Sequence, residues 1–336
     1  MRRAREPGPY RALASRPWWP WLKRVTIGAF FLLVGVLLIQ QAREIDWQKV
    51  LAALRDYPNG VLAAAAIFAL ASHLFYSCLD LFGRQHTAHG LPVTRVMLVT
   101  FVSYAFNLNF GPLIGGLAFR YRLYARLGLS LEKTTEVATL SILTNWLGYA
   151  LVAGVLFVAL PFAVPEEWPL GAASMRMVGA ALITTAIAYV VLCAFALRRM
   201  WTIRSYSLRL PTGWFALAQL GVSAASWLLI GATIHTLLRA HAVGYPMTLA
   251  VLLAAAVAGV ITSVPAGLGV IEAVFVALLA HAVAKNDLLA ALLTYRGLYY
   301  WAPLALAAAL YLLFEASGDR KNAERGRLSN DRQGPG

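Results

Sequence analysis

Four side chains interrupt long apolar runs with polar or charged groups: Arg120, Asn145, Glu272 and Arg296. A charge placed in hydrocarbon without a partner is costly, so such groups turn inward, pair with one another or line a polar cavity. Arg296 lies about nine residues into its apolar run, about 13 Å deep at 1.5 Å per residue, and Glu272 follows a glycine-rich break closely enough to reach a similar depth. The expected resting state is therefore an ion pair between Glu272 and Arg296. Two readings stay open for it: a lock between two segments, since buried pairs often serve specificity alone, or a binding site. The chemistry these residues offer is electrostatic. Covalent chemistry needs a nucleophile beside a base or a metal cluster, and the chain has no HExxH, no paired cysteines and no clustered Ser/His/Asp set. We assign no catalytic residue, no metal ligand and no cofactor. His86 and His89 share a loop with no cysteine or carboxylate at ligand spacing.

The elements that must position these groups are broken helices. Asn109, Gly111, Pro112, Gly115 and Gly116 form one break, and Pro265, Gly267 and Gly269 form the other. Irregular backbone at membrane depth is tolerated only where protein surrounds it, and paired breaks in corresponding places point to a site built from discontinuous helices. Arg120 and Arg122 follow the first break. On a helix they diverge by about 200°, so Arg120, the deeper, faces inward while Arg122 snorkels toward headgroups. Glu136, on the following span, has two readings: a partner for an arginine, or a solvated helix-end residue. Earlier, His73 and Asp80 sit two helical turns apart on one face, and Asp80 is expected to reach the headgroups.

The composition sets the class. Of 336 residues, 60% are hydrophobic and 13% charged, and the apolar runs reach spanning length. The formal charge of +14 sits in short loops and tails beside apolar runs, which suits membrane orientation and anionic headgroups and argues against nucleic acid as a partner. Cys78 and Cys193 both lie inside apolar runs and read as packing residues.

Placing most of the 29 basic residues on the cytoplasmic side yields one simple arrangement. A basic N-terminal segment, 1–24, precedes a first span over Val25 to Ile39, and residues 43–59 form an amphipathic external connection. Full spans follow over 61–82, 137–162, 177–197, 214–238 and 288–314, with hairpins at 96–127 and 247–284. The segment 315–336 is a disordered cytoplasmic tail. The fold class is thus an all-α polytopic membrane protein with about six full transmembrane helices and two re-entrant helical hairpins. The units at about 61–162 and 214–314 repeat in opposite orientation, an inverted repeat. Both termini are cytoplasmic.

The runs Asn109-Phe-Gly-Pro-Leu-Ile-Gly-Gly, Phe119-Arg-Tyr-Arg-Leu-Tyr-Ala-Arg, Leu140-Ser-Ile-Leu-Thr-Asn-Trp-Leu-Gly-Tyr and Pro265-Ala-Gly-Leu-Gly-Val-Ile-Glu272, followed by Arg296, resemble the lysylphosphatidylglycerol synthase transmembrane family. The family comprises bacterial inner-membrane proteins with a flippase-like domain, and the resemblance runs from about Val25 to Phe314. Many members carry an acidic residue just after the first glycine pair, where this chain has Leu117. The soluble aminoacyl-transferring domain of the fused synthases is expected to be absent. The resemblance implies a bacterial inner-membrane lipid transporter or flippase handling anionic phospholipids. In that setting a lipid phosphate would compete with Glu272 for Arg296, and Arg120 would be a second phosphate-capturing residue. The alternative is a non-transporting lipid-binding or scaffold protein that partners a lipid-synthesising enzyme.

Overall fold

A computed structural model describes residues 47–160, 172–196, 200–203, 206–238, 243–262 and 267–315, with Val25, Leu32 and Val36 besides. The chain divides into two compact units, 1–51 and 52–336. The first contributes few described residues, so the expected span over Val25 to Ile39 and the 1–24 segment lie largely outside the description, as does the 315–336 tail beyond Glu315. Helix α1, Trp47–Arg55, lies within the expected amphipathic connection and carries Val50, Leu51 and Leu54 at helical spacing.

Among its described residues the second unit is helical, with connecting turns, except for one two-stranded ribbon. Among the described residues six helices are long and apolar enough to cross a membrane: 59–86, 131–159, 173–195, 213–238, 245–262 and 285–315. Proline opens the first of these. Pro58 lies in extended backbone immediately before α2, Asn59–Ser77. The hydroxyl of Ser77 then donates to the His73 carbonyl at 2.7 Å, and the chain steps through Cys78 into α3, Leu79–His86. Back-bonding of this kind bends helices.

Helix α4, Val93–Gly111, ends where Gly111 takes φ +82°. A wide π-helical segment, Pro112–Ala118, leads directly into α5, Phe119–Arg126. The π segment lies back on α4 so closely that a Cβ on Gly115 would stand 2.1 Å from the Phe106 carbonyl oxygen. Only glycine permits that approach. Helix α6, Leu131–Ala159, starts from Ser130, whose hydroxyl accepts the Lys133 amide.

Helix α7 covers Ala172–Phe195. A ribbon of β1, Met200–Ile203, and β2, Tyr206–Arg209, pairs Met200 with Arg209 and Ile203 with Tyr206. The stretch between the expected spans 177–197 and 214–238 is therefore in part a hairpin; alternation of Trp201, Ile203, Tyr206 and Leu208 with polar residues is the strand signal. Helices α8, Gly213–Leu238, α9, Tyr245–Thr262, α10, Val270–Leu279, and α11, Lys285–Arg296, complete the bundle. A π turn, Gly297–Trp301, carries α11 into α12, residues 302–315. Val25 to Ile39 aside, one difference from the expected spans is α9, foreseen as a hairpin arm and long enough on its own to cross. The main core is built from α2, α6, α8, α9, α10 and α11, with Ala65, Ile234, Leu253, Phe275 and Leu292 sealed inside.

Candidate functional site

Arg296 and Glu272 meet where the start of α10 faces the interior of the long helix 285–315. Glu272 stands in the first turn of α10, where unpaired backbone N–H groups favour a carboxylate, and Arg296 is the last residue of α11, immediately before the π turn that continues the same helix. The chain can enter α10 there because Gly267 and Gly269 take φ of +57° and +76°, a region closed to most side chains. Pro265, expected to share this turn, lies outside the described residues.

The pair is bidentate. Arg296 Nε donates to Glu272 Oε1 at 2.5 Å and Nη2 to Oε2 at 3.0 Å. Nη2 also reaches the Gly267 carbonyl at 3.0 Å, and the guanidinium lies over the Tyr300 ring, 5.4 Å from its centre. The arginine side chain is 4% exposed and its carboxylate partner 23%. This site is a cation inside the protein, closed by an anion that reaches the outside.

A second buried pair joins Arg120 to Asp80. Arg120 Nη2 lies 3.2 Å from Asp80 Oδ1, with side chains 4% and 0% exposed. Tyr124 donates to Asp80 Oδ2 at 2.8 Å and Ser141 to Oδ1 at 2.5 Å, while Arg120 Nε has no hydrogen-bond partner. The expectation that Asp80 reaches the headgroups is corrected: the bend at Ser77 and Cys78 precedes a carboxylate that ends among three donors in the interior. Sequence reasoning missed Tyr124, Ser141 and the pairing itself. The available signal was an aspartate in an apolar run, which demands an internal partner.

Polar contacts bridge the space between the two pairs. The Tyr299 hydroxyl lies 3.0 Å from Ser72 Oγ and 3.1 Å from the Tyr104 hydroxyl, and Ser72 meets Ser226 at 3.2 Å. His73 Nε2 is 3.1 Å from the Tyr299 carbonyl, and its ring stacks on the Tyr299 ring. Since a carbonyl only accepts, Nε2 carries the proton and Nδ1 is a bare acceptor without a partner. Tyr104 stacks in turn on Tyr76. Asn109, at the first break, donates to the carbonyls of Ala105 and Tyr300 at 2.9 and 3.3 Å, and so ties that break to the segment after Arg296.

The other expected site residues do not join these pairs. Asn145 is half-buried on α6, and its described hydrogen bonds use the backbone carbonyl, which accepts from Ser223 and Trp227. Glu136 is exposed and pairs with no arginine among the described residues, which decides for the solvated helix end. Arg122 points away from Arg120, toward Tyr311 and Glu315. Gly111 and Pro112 form the turn itself, and Gly116 packs against Asn107. Outside the spanning segments, His89 is held below the ordinary histidine range by burial and by the nearby Arg84 and Lys133. No three His, Cys, Asp or Glu gather at metal-binding distance among the described residues.

Helices of spanning length, glycine breaks and buried ion pairs define a multi-pass membrane protein whose polar groups face one another inside the bundle. The chain belongs to the family described as the lysylphosphatidylglycerol synthase TM region, which it matches over residues 24–307. It is 43% identical over 311 residues to the Escherichia coli inner membrane protein YbhN, covering 92% of this chain and 98% of that protein. It is also 30% identical over 298 residues to the uncharacterized Synechocystis protein slr0712, covering 88% and 92%. Together the family and the six apolar helices make this a multi-pass inner-membrane protein.

Proposed function

We propose that the chain binds anionic phospholipids in the inner membrane and moves their headgroups across it without covalent chemistry. Arg296 is the phosphate-binding cation, and Glu272 is the carboxylate that occupies it between lipids. The observation that carries this reading is the unequal exposure of the pair, 4% for the arginine and 23% for the glutamate. A headgroup phosphate offers a guanidinium the same two-oxygen face that Glu272 offers. Arg120 takes the corresponding role in the first half, with Asp80 as its resting partner, and the Asn145 amide is a polar contact along the lipid path.

The topology in this reading contains two re-entrant hairpins. Helix α10 has ten residues, about 15 Å of helix, half of a hydrocarbon core about 30 Å thick. In this reading α9 stops short of the far side, and α10 returns to the side from which α9 entered. The π segment and α5 return along α4 in the same way. Units at about 61–162 and 214–314 form an inverted repeat whose halves rock about the two arginines, with both termini cytoplasmic.

The test uses purified protein, lipid-binding measurements and a fluorescent-lipid translocation assay in proteoliposomes. Arg296→Gln is expected to lose binding of anionic lipid, and Glu272→Gln to bind at least as well as wild type while translocating poorly. Equal binding by wild type and folded Arg296→Gln would reduce the pair to a structural lock. Binding without translocation by wild type would favour a lipid-binding scaffold for a lipid-synthesising enzyme.

A further inference from the structure

Where α3 ends and α6 begins, three basic side chains converge without a carboxylate. Asp80 of α3 meets Ser141 of α6, and a Cβ on Gly83 would stand 2.8 Å from Val137. The two helices therefore run antiparallel, and one further turn in the same register brings Lys133, in the first turn of α6, beside the residues that follow α3. Arg84 and His89 both grip that connection at one residue: Arg84 Nε donates to the Leu91 carbonyl at 2.7 Å, and the Leu91 amide donates to His89 Nδ1 at 3.4 Å. The backbone turns inward through Ala88, at φ +48°, and His89 is 6% exposed with its ring edge-on to Tyr124. A backbone amide only donates, so Nδ1 is the acceptor and the neutral ring carries its proton on Nε2. That N–H is buried and has no acceptor, a destabilising omission in a protein interior.

Charge and donor geometry decide what fits. Neither Arg84 nor Lys133 pairs with a carboxylate among the described residues, whereas Arg120 and Arg296 each do. Burial, Arg84 and Lys133 hold the His89 ring below the ordinary histidine range, and Asp80, already paired with Arg120, opposes them. A forked guanidinium, an imidazole N–H and an ammonium come from three segments and ask for acceptors only. A carboxylate has two oxygens for three such groups; a phosphate has enough for all of them. We propose that Arg84, His89 and Lys133 form a phosphate site, separate from both buried pairs, for a phosphate group carried by a lipid headgroup or free in solution. The connection 87–92 lifts to admit it: Ala88 and Gly90, on either side of His89, are exposed, and nothing lies within 4 Å of the Cβ position of Gly90. The bound phosphate supplies the acceptor that His89 lacks and ties α3 to the start of α6.

Thermal unfolding of the full-length protein in detergent micelles, read by tryptophan fluorescence, tests the site. Inorganic phosphate and dioctanoyl phosphatidic acid are titrated in separate arms at constant ionic strength, since a ligand of the folded state raises Tm with its concentration. The lipid arm is run in Arg296→Gln, so that the site of the proposed function does not contribute. A saturable rise in Tm is expected. Its half-saturating concentration is expected to increase about tenfold in Arg84→Gln and in His89→Phe, each of which loses a hydrogen bond to a charged group, and about threefold in Lys133→Gln, at an exposed position. Arg176→Gln, at an exposed arginine near the start of α7, is expected to change nothing. Saturation by inorganic phosphate alone assigns free phosphate, and saturation by the lipid alone assigns a headgroup; in either case the three variants weaken it. Lys133→Gln removes a surface side chain and so keeps the test valid should the other two variants unfold. No saturable shift with either ligand, or wild-type half-saturation in every folded variant, would overturn the site and leave water as the acceptor for His89.

Discussion

Asp80→Leu is the substitution that isolates the worth of the buried pair in the first half. The carboxylate is 0% exposed, accepts from Tyr124 and Ser141, and is ion-paired with the Arg120 guanidinium at 3.2 Å. Removing it leaves a guanidinium with 4% of its side chain exposed and no countercharge, a situation that costs about 3–5 kcal/mol. The Tyr124 and Ser141 hydroxyls lose their acceptor as well, worth roughly 1–3 kcal/mol each when left unsatisfied, with partial overlap between these losses. In Asp80→Leu/Arg120→Met the stranded charge is gone and only the hydroxyls remain unpaired. The double variant is therefore expected to be more stable than the single one, by about 2 kcal/mol or more. Reversible unfolding in mixed micelles at graded SDS content, read by tryptophan fluorescence, measures both. Equal destabilisation by single and double variants would show that Arg120 does not depend on Asp80, and the description of the pair as the resting state would fail.

Two shorter predictions concern the breaks. Gly115→Ala places a Cβ 2.1 Å from the Phe106 carbonyl, so it is expected to cost several kcal/mol and to broaden the size-exclusion profile in detergent. Gly111→Ala meets no neighbour and bears only the strain of φ +82° with ψ 172°, about 1–3 kcal/mol; a milder effect at Gly115 than at Gly111 would contradict the packing of the π segment on α4. A cysteine introduced at the exposed Ala125 is expected to be shielded from an impermeant external thiol reagent in intact spheroplasts and labelled after lysis. Labelling before lysis would reject the re-entrant turn of the first break.

Composition and local grammar determined the class of this protein before any coordinate. Runs of apolar residues at spanning length leave one solvent in which they can fold, and Gly111, Gly267 and Gly269 mark turns because positive φ is a property of the residue and its neighbours. The pairing of Glu272 with Arg296 was legible for the same reason: both charges sit at an estimable depth along short stretches of helix, and hydrocarbon leaves each in need of a partner. The partner of Arg120 was not legible. Asp80 lies forty positions earlier, with the loop 87–92 and the break at Gly111 between them, and helical periodicity loses its phase across such interruptions. Glu315 is farther still from Arg122, and no local rule brings residue 315 to α5. Contacts between distant segments depend on how whole helices cross, and crossing is decided by close approaches such as Gly148 of α6 on Ser223 of α8, which only the packed bundle creates.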